Sequence, residues 1–222
     1  MDRVVSMAPE VWRVRPLGQP PNLVALASLR DLDPHWRPLQ QSWQSEASSR
    51  CNPGWARVRW RPDGLLFDAI FLGSHPRNRA RELNERTWEL GDVAEFFVHA
   101  AGTAIYAELH VTPGNQRLQL CWPLPAHAAV ASGEAALESV LVPERDWAAT
   151  AVHISTNHWT VRAWLPAVSF GLPGGLSPGL SLRTAVCRYD YSHGALPELS
   201  STAPFTGAAF HRLAEWQDIE LD

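Results

Sequence analysis

Cysteine is scarce in this 222-residue chain: Cys51, Cys121 and Cys187 stand far apart and form no CxxC pair. An odd number at such spacing argues against a disulfide framework and for a reducing compartment, so a cytoplasmic setting is expected. Long apolar runs are missing too. Nothing approaches the ~20 residues of a membrane-spanning helix, and the first residues, MDRVVSMAPEVWRV, lack the apolar centre of a secretory leader. There is no excess of positive charge: the net charge is −4 and the pI about 6.1, so neither nucleic acid nor an anionic membrane is an expected partner. GxGxxG, Walker-type, HExxH and GxSxG motifs are all absent. Nine histidines are scattered, with His153 and His158 the nearest approach to a pair, and none shows a metal-ligand spacing. Neither a metal nor another cofactor is therefore expected. No internal repeat and no low-complexity segment occurs.

What is present is apolar and aromatic. Hydrophobic residues make up 45% and charged residues 19%, enough for a large core in a single domain. Eleven tryptophans are the compositional oddity. Most must fill a core, and a few are available as platforms for flat apolar ligand faces.

Proline at positions 9, 16, 20 and 21 makes residues 1–22 an extended N-terminal arm, and residues 23–222 are expected to form one domain. Leu23 to Leu32 is apolar, a short strand or a turn of helix. Asp33 to Asn52 is polar with Trp36 and Trp43 set into it, and reads as a long loop. Trp55 to Arg61 alternates Ala56, Val58 and Trp60 with Trp55, Arg57, Arg59 and Arg61, the period of a half-buried strand. Pro62-Asp63-Gly64 turns the chain into a second strand, Leu65 to Gly73. Further strands are expected at Arg117–Trp122, Trp147–Ser155, Trp159–Leu165, Leu180–Tyr191 and near Ala214–Leu221. A short helix is expected within 123–143, irregular chain over Pro166–Pro178 and a polar excursion over Ser192–Thr206. Many strands with frequent turns and no long amphipathic helix make this an all-β chain, an antiparallel β-sandwich with long loops and little helix.

Thr87 to Val111 is the stretch where chemistry concentrates. Asp92–His99 and Ala104–Val111 are rich in β-branched and aromatic residues and flank Ala101-Gly102, a pair able to make a tight turn. With that turn at the centre, Phe97 opposes Tyr106 and Glu95 opposes Glu108, two carboxylates on one face. Side chains so placed sit ~5 Å apart at Cβ. Either a cation lies between them or one pKa rises. Tyr106 and His110 share the face of Glu108. A glycosidase also uses two carboxylates, ~5–10 Å apart across a bound sugar, so hydrolysis is a third reading of the pair.

In this order the motifs resemble the family 9-like carbohydrate-binding modules of the DOMON-like group. The resemblance rests on WARVRWRPDGLLFDAIF from Trp55, the run Trp88 to Phe97 (similar to that group's W–D–x–x–E–x–F signature), Tyr106 to Leu109, HWTVRAWLP from His158, Arg183 to Arg188, and the tail Ser200 to Trp216. It covers Leu23 to Leu221. It implies a non-catalytic module that holds a sugar between two tryptophans. Trp88 and Glu95 match the first tryptophan and its acidic partner, and Arg188 matches an arginine on a late strand. The chain departs from the pattern at Ala185, where asparagine is usual, and in SSTAP after Leu199, where the second tryptophan would stand.

The expected function is non-catalytic binding of a carbohydrate or similar polyol on one sheet face by Trp43, Trp88, Glu95, Tyr106, Glu108, His110 and Arg188. Arg188 is the expected counter-ion of the glutamates. The alternative is a structural or protein-interaction domain without a small ligand.

Overall fold

The hairpin of β3 (Gly54–Arg61) and β4 (Gly64–Leu72) closes through Pro62-Asp63, with Arg61 paired to Gly64. Proline presets φ there, and an added Cβ at Gly64 would come within 2.5 Å of the Leu165 carbonyl, so only glycine lets the neighbouring strand approach. In the computed structural model, which describes residues 11–17 and 34–222, this hairpin belongs to a five-stranded sheet. Its order is β2 (Arg37–Pro38), β3, β4, β9 (His158–Pro166) and β8 (Ala149–Ile154).

The facing sheet has seven strands. Its main path runs β1 (Trp12–Val14), β12 (Gln217–Leu221), β10 (Ser181–Asp190), β5 (Val93–Ala100), β6 (Ile105–Val111) and β7 (Arg117–Pro123). β11 (Glu198–Ser201) pairs with the far end of β10. Two short helices, α1 (Thr87–Leu90) and α2 (Ala126–Ser132), lie outside the sheets. No helix among the described residues is long and apolar enough to cross a membrane.

Alternation decides which residues meet between the sheets. Ala56, Val58 and Trp60 of β3, Phe67, Ala69 and Phe71 of β4, and Ala94, Phe96 and Val98 of β5 all enter one core, and the rings of Phe67 and Phe96 meet across it at 5.3 Å. Each such aliphatic or aromatic side chain contributes roughly 1.5–3 kcal/mol by leaving water. The opposite face of β5, β6, β7 and β10 is not left to solvent. Phe97, Leu120, Trp122, Phe205, Phe210 and Trp216 build a second apolar cluster there, under α2 and the chain that leads into β12. The molecule therefore has three layers: sheet, sheet and a roof of loops and helix.

The sandwich expected from the turn pattern is present, with differences at its margins. Part of the N-terminal arm is a strand: Trp12–Val14 pairs in parallel with β12, burying Trp12 and Val14 in the main core. The apolar stretch Leu23–Leu32 and residues 1–10 lie outside the described residues. The polar excursion after β10 contains β11, which its Ser- and Glu-rich sequence disguises.

All 19 basic residues are arginine, and three of them converge on the outer face of the five-stranded sheet. Asp68 is fully buried and accepts hydrogen bonds from Arg57 (2.9 Å), Arg59 (2.7 Å) and Arg162 (2.6 Å). Planar guanidinium groups suit such sharing, since each presents a fork of donors to one carboxylate. Replacing Asp68 with asparagine leaves three cations crowded without their anion. Equilibrium urea unfolding of Asp68→Asn should show a loss of roughly 3–5 kcal/mol, the usual cost of removing one partner from a buried ion pair. A loss below 1 kcal/mol would show that the arginines are held by solvent instead.

Candidate functional site

β5 and β6 do pair in antiparallel, but through a longer connection than Ala101-Gly102 alone. Four residues, 101–104, separate the strands, and Ala94 pairs with Val111, Glu95 with His110 and Phe97 with Glu108. The expected Glu95–Glu108 opposition is thus displaced by two residues. Because side chains alternate with a period of two, this slip keeps both glutamates on the same face. It also puts His110 directly across from Glu95, with Glu108 beside it on the same strand.

The three side chains form a compact cluster under the roof, each no more than 3% exposed. His110 Nε2 lies 2.6 Å from Glu108 Oε1 and 3.3 Å from Glu95 Oε1. Its Nδ1 is 2.9 Å from the Thr87 hydroxyl, which α1 holds over the sheet. The Trp122 indole N–H donates to Glu108 Oε2 at 2.6 Å. His211, from the chain before β12, sits 3.6 Å from that same oxygen and bonds the Tyr106 hydroxyl through Nδ1 at 2.8 Å. The ring of His127 on α2 stacks on His211 at 3.8 Å.

Burial pushes the Glu95 carboxyl up to about 8; the cation of His110 opposes the shift and the charge of Glu108 adds to it. Burial acts on Glu108 in the same direction, but the imidazoles of His211 and His110 and the Trp122 N–H outweigh it and leave Glu108 below its usual value. Burial drives His211 down to about 4, so that ring is neutral near pH 7. For His110, burial would lower the pKa, but the two carboxylates raise it above the ordinary imidazole value.

Above the cluster lies a partly open cavity of about 240 Å³. Trp88, Tyr189 and Phe210 stand in its walls, while Glu95, Glu108 and His110 line its floor. Trp88 is half-buried on α1, edge-on to His110 at 5.6 Å, and its carbonyl accepts the Tyr191 hydroxyl at 2.6 Å. Gly91, at φ +140°, lets α1 turn straight into β5 where a Cβ would strike the Arg77 carbonyl.

The seven residues expected at the site divide. Trp88, Glu95, Glu108 and His110 surround the cavity, and Tyr106 stands behind His211. Trp43 is half-buried rather than exposed, 6.5 Å from the Phe210 ring and packed behind that wall.

Arg188 is not part of the cluster. On β10 the partner of Glu95 is Cys187, which shares its face, so Arg188 one residue later points into the space between the sheets. There it pairs with Asp190 at 3.2 Å, donates to the Asn52 carbonyl at 3.3 Å and lies 5.2 Å from the Phe71 ring centre. Arg183 has the parity of Cys187 but bonds Asp218 at 3.0 Å. Histidine, not arginine, faces the glutamates.

The residues absent from the expected set are Trp122, His127 and His211. Trp122 was within reach, because the Pro113-Gly114-Asn115 turn places it opposite Tyr106. His127 and His211 arrive from a short helix and an irregular segment, where no periodicity marks a facing side.

Arg188 and the cluster should behave independently. Arg188→Met should destabilise by roughly 3–5 kcal/mol by stranding Asp190. In double-mutant cycles it should couple to Asp190→Asn by 0.5–3 kcal/mol and to Glu108→Gln by less than about 0.5 kcal/mol. Appreciable coupling to Glu108 would contradict the two-face geometry.

No protein-family model matches the chain, and no curated protein matches it in sequence. Its fold is nevertheless shared with solved structures. A candidate carbohydrate-binding protein from Bacteroides uniformis superimposes with a TM-score of 0.68 at 12% identity, over 97% of this chain and 100% of that one. A family 9 carbohydrate-binding module from Caldicellulosiruptor kristjanssonii in complex with cellotriose gives 0.64 at 11% identity, over 95% and 93%. The module from the same organism in complex with glucose gives 0.64 at 12%, over 95% of both chains. The likeness at these identities is one of fold.

Proposed function

We propose that the protein is a non-catalytic carbohydrate-binding domain that takes a single sugar ring or similar polyol into the cavity above Glu95, Glu108 and His110. The observation that carries this reading is the pairing of an aromatic wall with a buried hydrogen-bonding floor, in a fold shared with modules seen in complex with cellotriose and glucose. A sugar ring has apolar faces and a rim of hydroxyls. Trp88, the half-buried ring of the wall, offers a face for stacking, and a carboxylate offers two acceptor oxygens to hydroxyl donors. At about 240 Å³ the cavity falls below the roughly 300–1,000 Å³ of drug-sized sites, which favours one ring over a chain. Phe210 and Tyr189 also line the cavity and would supply the second aromatic surface in place of the tryptophan that SSTAP lacks.

Hydrolysis fits the geometry less well. Glu95 and Glu108 converge on one imidazole, with ligand atoms of all three groups within 4.8 Å of one another. They do not flank a space between them as an acid and a nucleophile must. A purely structural role leaves the cavity unexplained, and the charged groups buried beneath it cost stability on desolvation.

A thermal-shift screen over monosaccharides, short β-glucans and polyols tests the reading. Ligand at 100 times its Kd should stabilise the fold by ~2.7 kcal/mol. Trp88→Ala should weaken the best ligand at least tenfold while costing less stability than the ~3–5 kcal/mol of deleting a fully buried large aromatic. If no sugar moves the melting temperature at millimolar concentration, or if Trp88→Ala binds as well as the parent, the sugar reading is wrong.

A further inference from the structure

We infer that Glu95, Glu108 and His110 form a binding site for a divalent first-row transition ion of the zinc type, open toward the cavity. The site neither requires a sugar nor follows from the likeness to sugar-binding modules.

The donor set comes first. Two carboxylates and an imidazole place one ligand atom each within 4.8 Å of one another. Around a tetrahedral zinc ion with bonds of 2.0–2.2 Å, ligand atoms stand roughly 3.4 Å apart. Here His110 Nε2 is 2.6 Å from Glu108 and 3.3 Å from Glu95, so an ion seats between them with shifts of under an ångström for the closest pair. Imidazole beside carboxylate suits zinc, iron or manganese and disfavours calcium and magnesium, which take oxygen ligands.

The second observation is Glu95 itself. It is 3% exposed, and its ion-pair contact among the described residues is His110 Nε2 at 3.3 Å. Its near neighbour is the single His110 Nε2–H, which is already directed at Glu108. A buried carboxylate at the floor of a cavity, whose one close donor is already directed at another carboxylate, points to a ligand that the protein does not itself supply.

The shell around the site is that of a metal centre. Thr87 holds His110 through Nδ1, leaving Nε2 turned inward. A hydroxyl both donates and accepts, so it satisfies Nδ1 in either tautomer, and His110 can release the Nε2 proton to an incoming ion without losing its anchor. His211 repeats the device: Tyr106 holds its Nδ1 while Nε2 lies 3.6 Å from the second oxygen of Glu108. The open coordination position faces the cavity with His211 at its edge, where water, His211 or a ligand hydroxyl completes the set.

The test uses the full chain, treated with chelator and free of sugar. Isothermal titration with Zn²⁺ should give one site, and Zn²⁺ should raise the melting temperature where Ca²⁺ does not. Co²⁺ should show visible absorption of four- or five-coordinate intensity, which reports ligation on the parent protein without any substitution. Glu95→Gln, which keeps the side chain's shape, should weaken Zn²⁺ at least tenfold. Absence of Zn²⁺ binding to the parent at 100 µM, equal binding by Glu95→Gln, six-coordinate Co²⁺ spectra or equal stabilisation by Ca²⁺ would each overturn the inference. Repeating the sugar screen with and without Zn²⁺ separates the two ideas, because either can fail while the other stands.

Discussion

The alternation of β5 is the constraint on which the rest depends. Its even-numbered residues, Ala94, Phe96 and Val98, fill the space between the sheets, and its odd-numbered residues, Glu95 and Phe97, enter the roofed cluster on the other side. β5 sits between β10 and β6, so its pleat transmits one parity to both neighbours. That parity brings Cys187, Glu108 and His110 up with Glu95, and sends Arg188 and Leu109 down. A slip of one residue on β5 or β6 would bury a carboxylate among phenylalanines and expose part of the main core. The energy of the inter-sheet core thus fixes the position of the polar cluster, although the cluster contributes little to that core.

Charge buried this deeply has to be compensated locally, and the two sheets solve the problem differently. On the outer face of the five-stranded sheet Asp68 gathers three guanidinium groups and is saturated with donors. On the outer face of the seven-stranded sheet two carboxylates share the imidazole of His110, while Trp122 and His211 stand at the second oxygen of Glu108. The first arrangement borders no cavity described above. The second lies beneath a cavity, which marks it as the candidate site of the two.

Much of the sandwich could be read from turns and alternation. The Arg57–Arg59 alternation against Ala56 and Val58, the Pro62-Asp63 turn and the Pro-ended strand from His158 all fall where their periodicity puts them. The face shared by Glu95 and Glu108 was legible because a two-residue slip leaves parity intact; the partner residue was not, because Gly102 does not by itself say how long the connection is. β11 and β1 escaped detection for a different reason: each is a short edge segment whose pairing depends on a neighbour already in place. The roof was the least legible. His127 and His211 meet at 3.8 Å from opposite parts of the chain, and no local pattern encodes that encounter.

The position of Arg188 shows how far a likeness of motif can carry a residue's role. The pattern of Leu180–Tyr191 located β10 and the family match put a role on Arg188 within it, but a motif aligned in sequence does not fix the direction of a side chain. Pairing of Cys187 with Glu95 does, and it assigns Arg188 to the inner face with Asp190 and Asn52. The work expected of that arginine falls to His110, a weaker and reversible cation. An arginine would keep its charge at any physiological pH and permanently occupy the carboxylates. A histidine can give up its proton, and so leaves the floor of the cavity able to accept another partner.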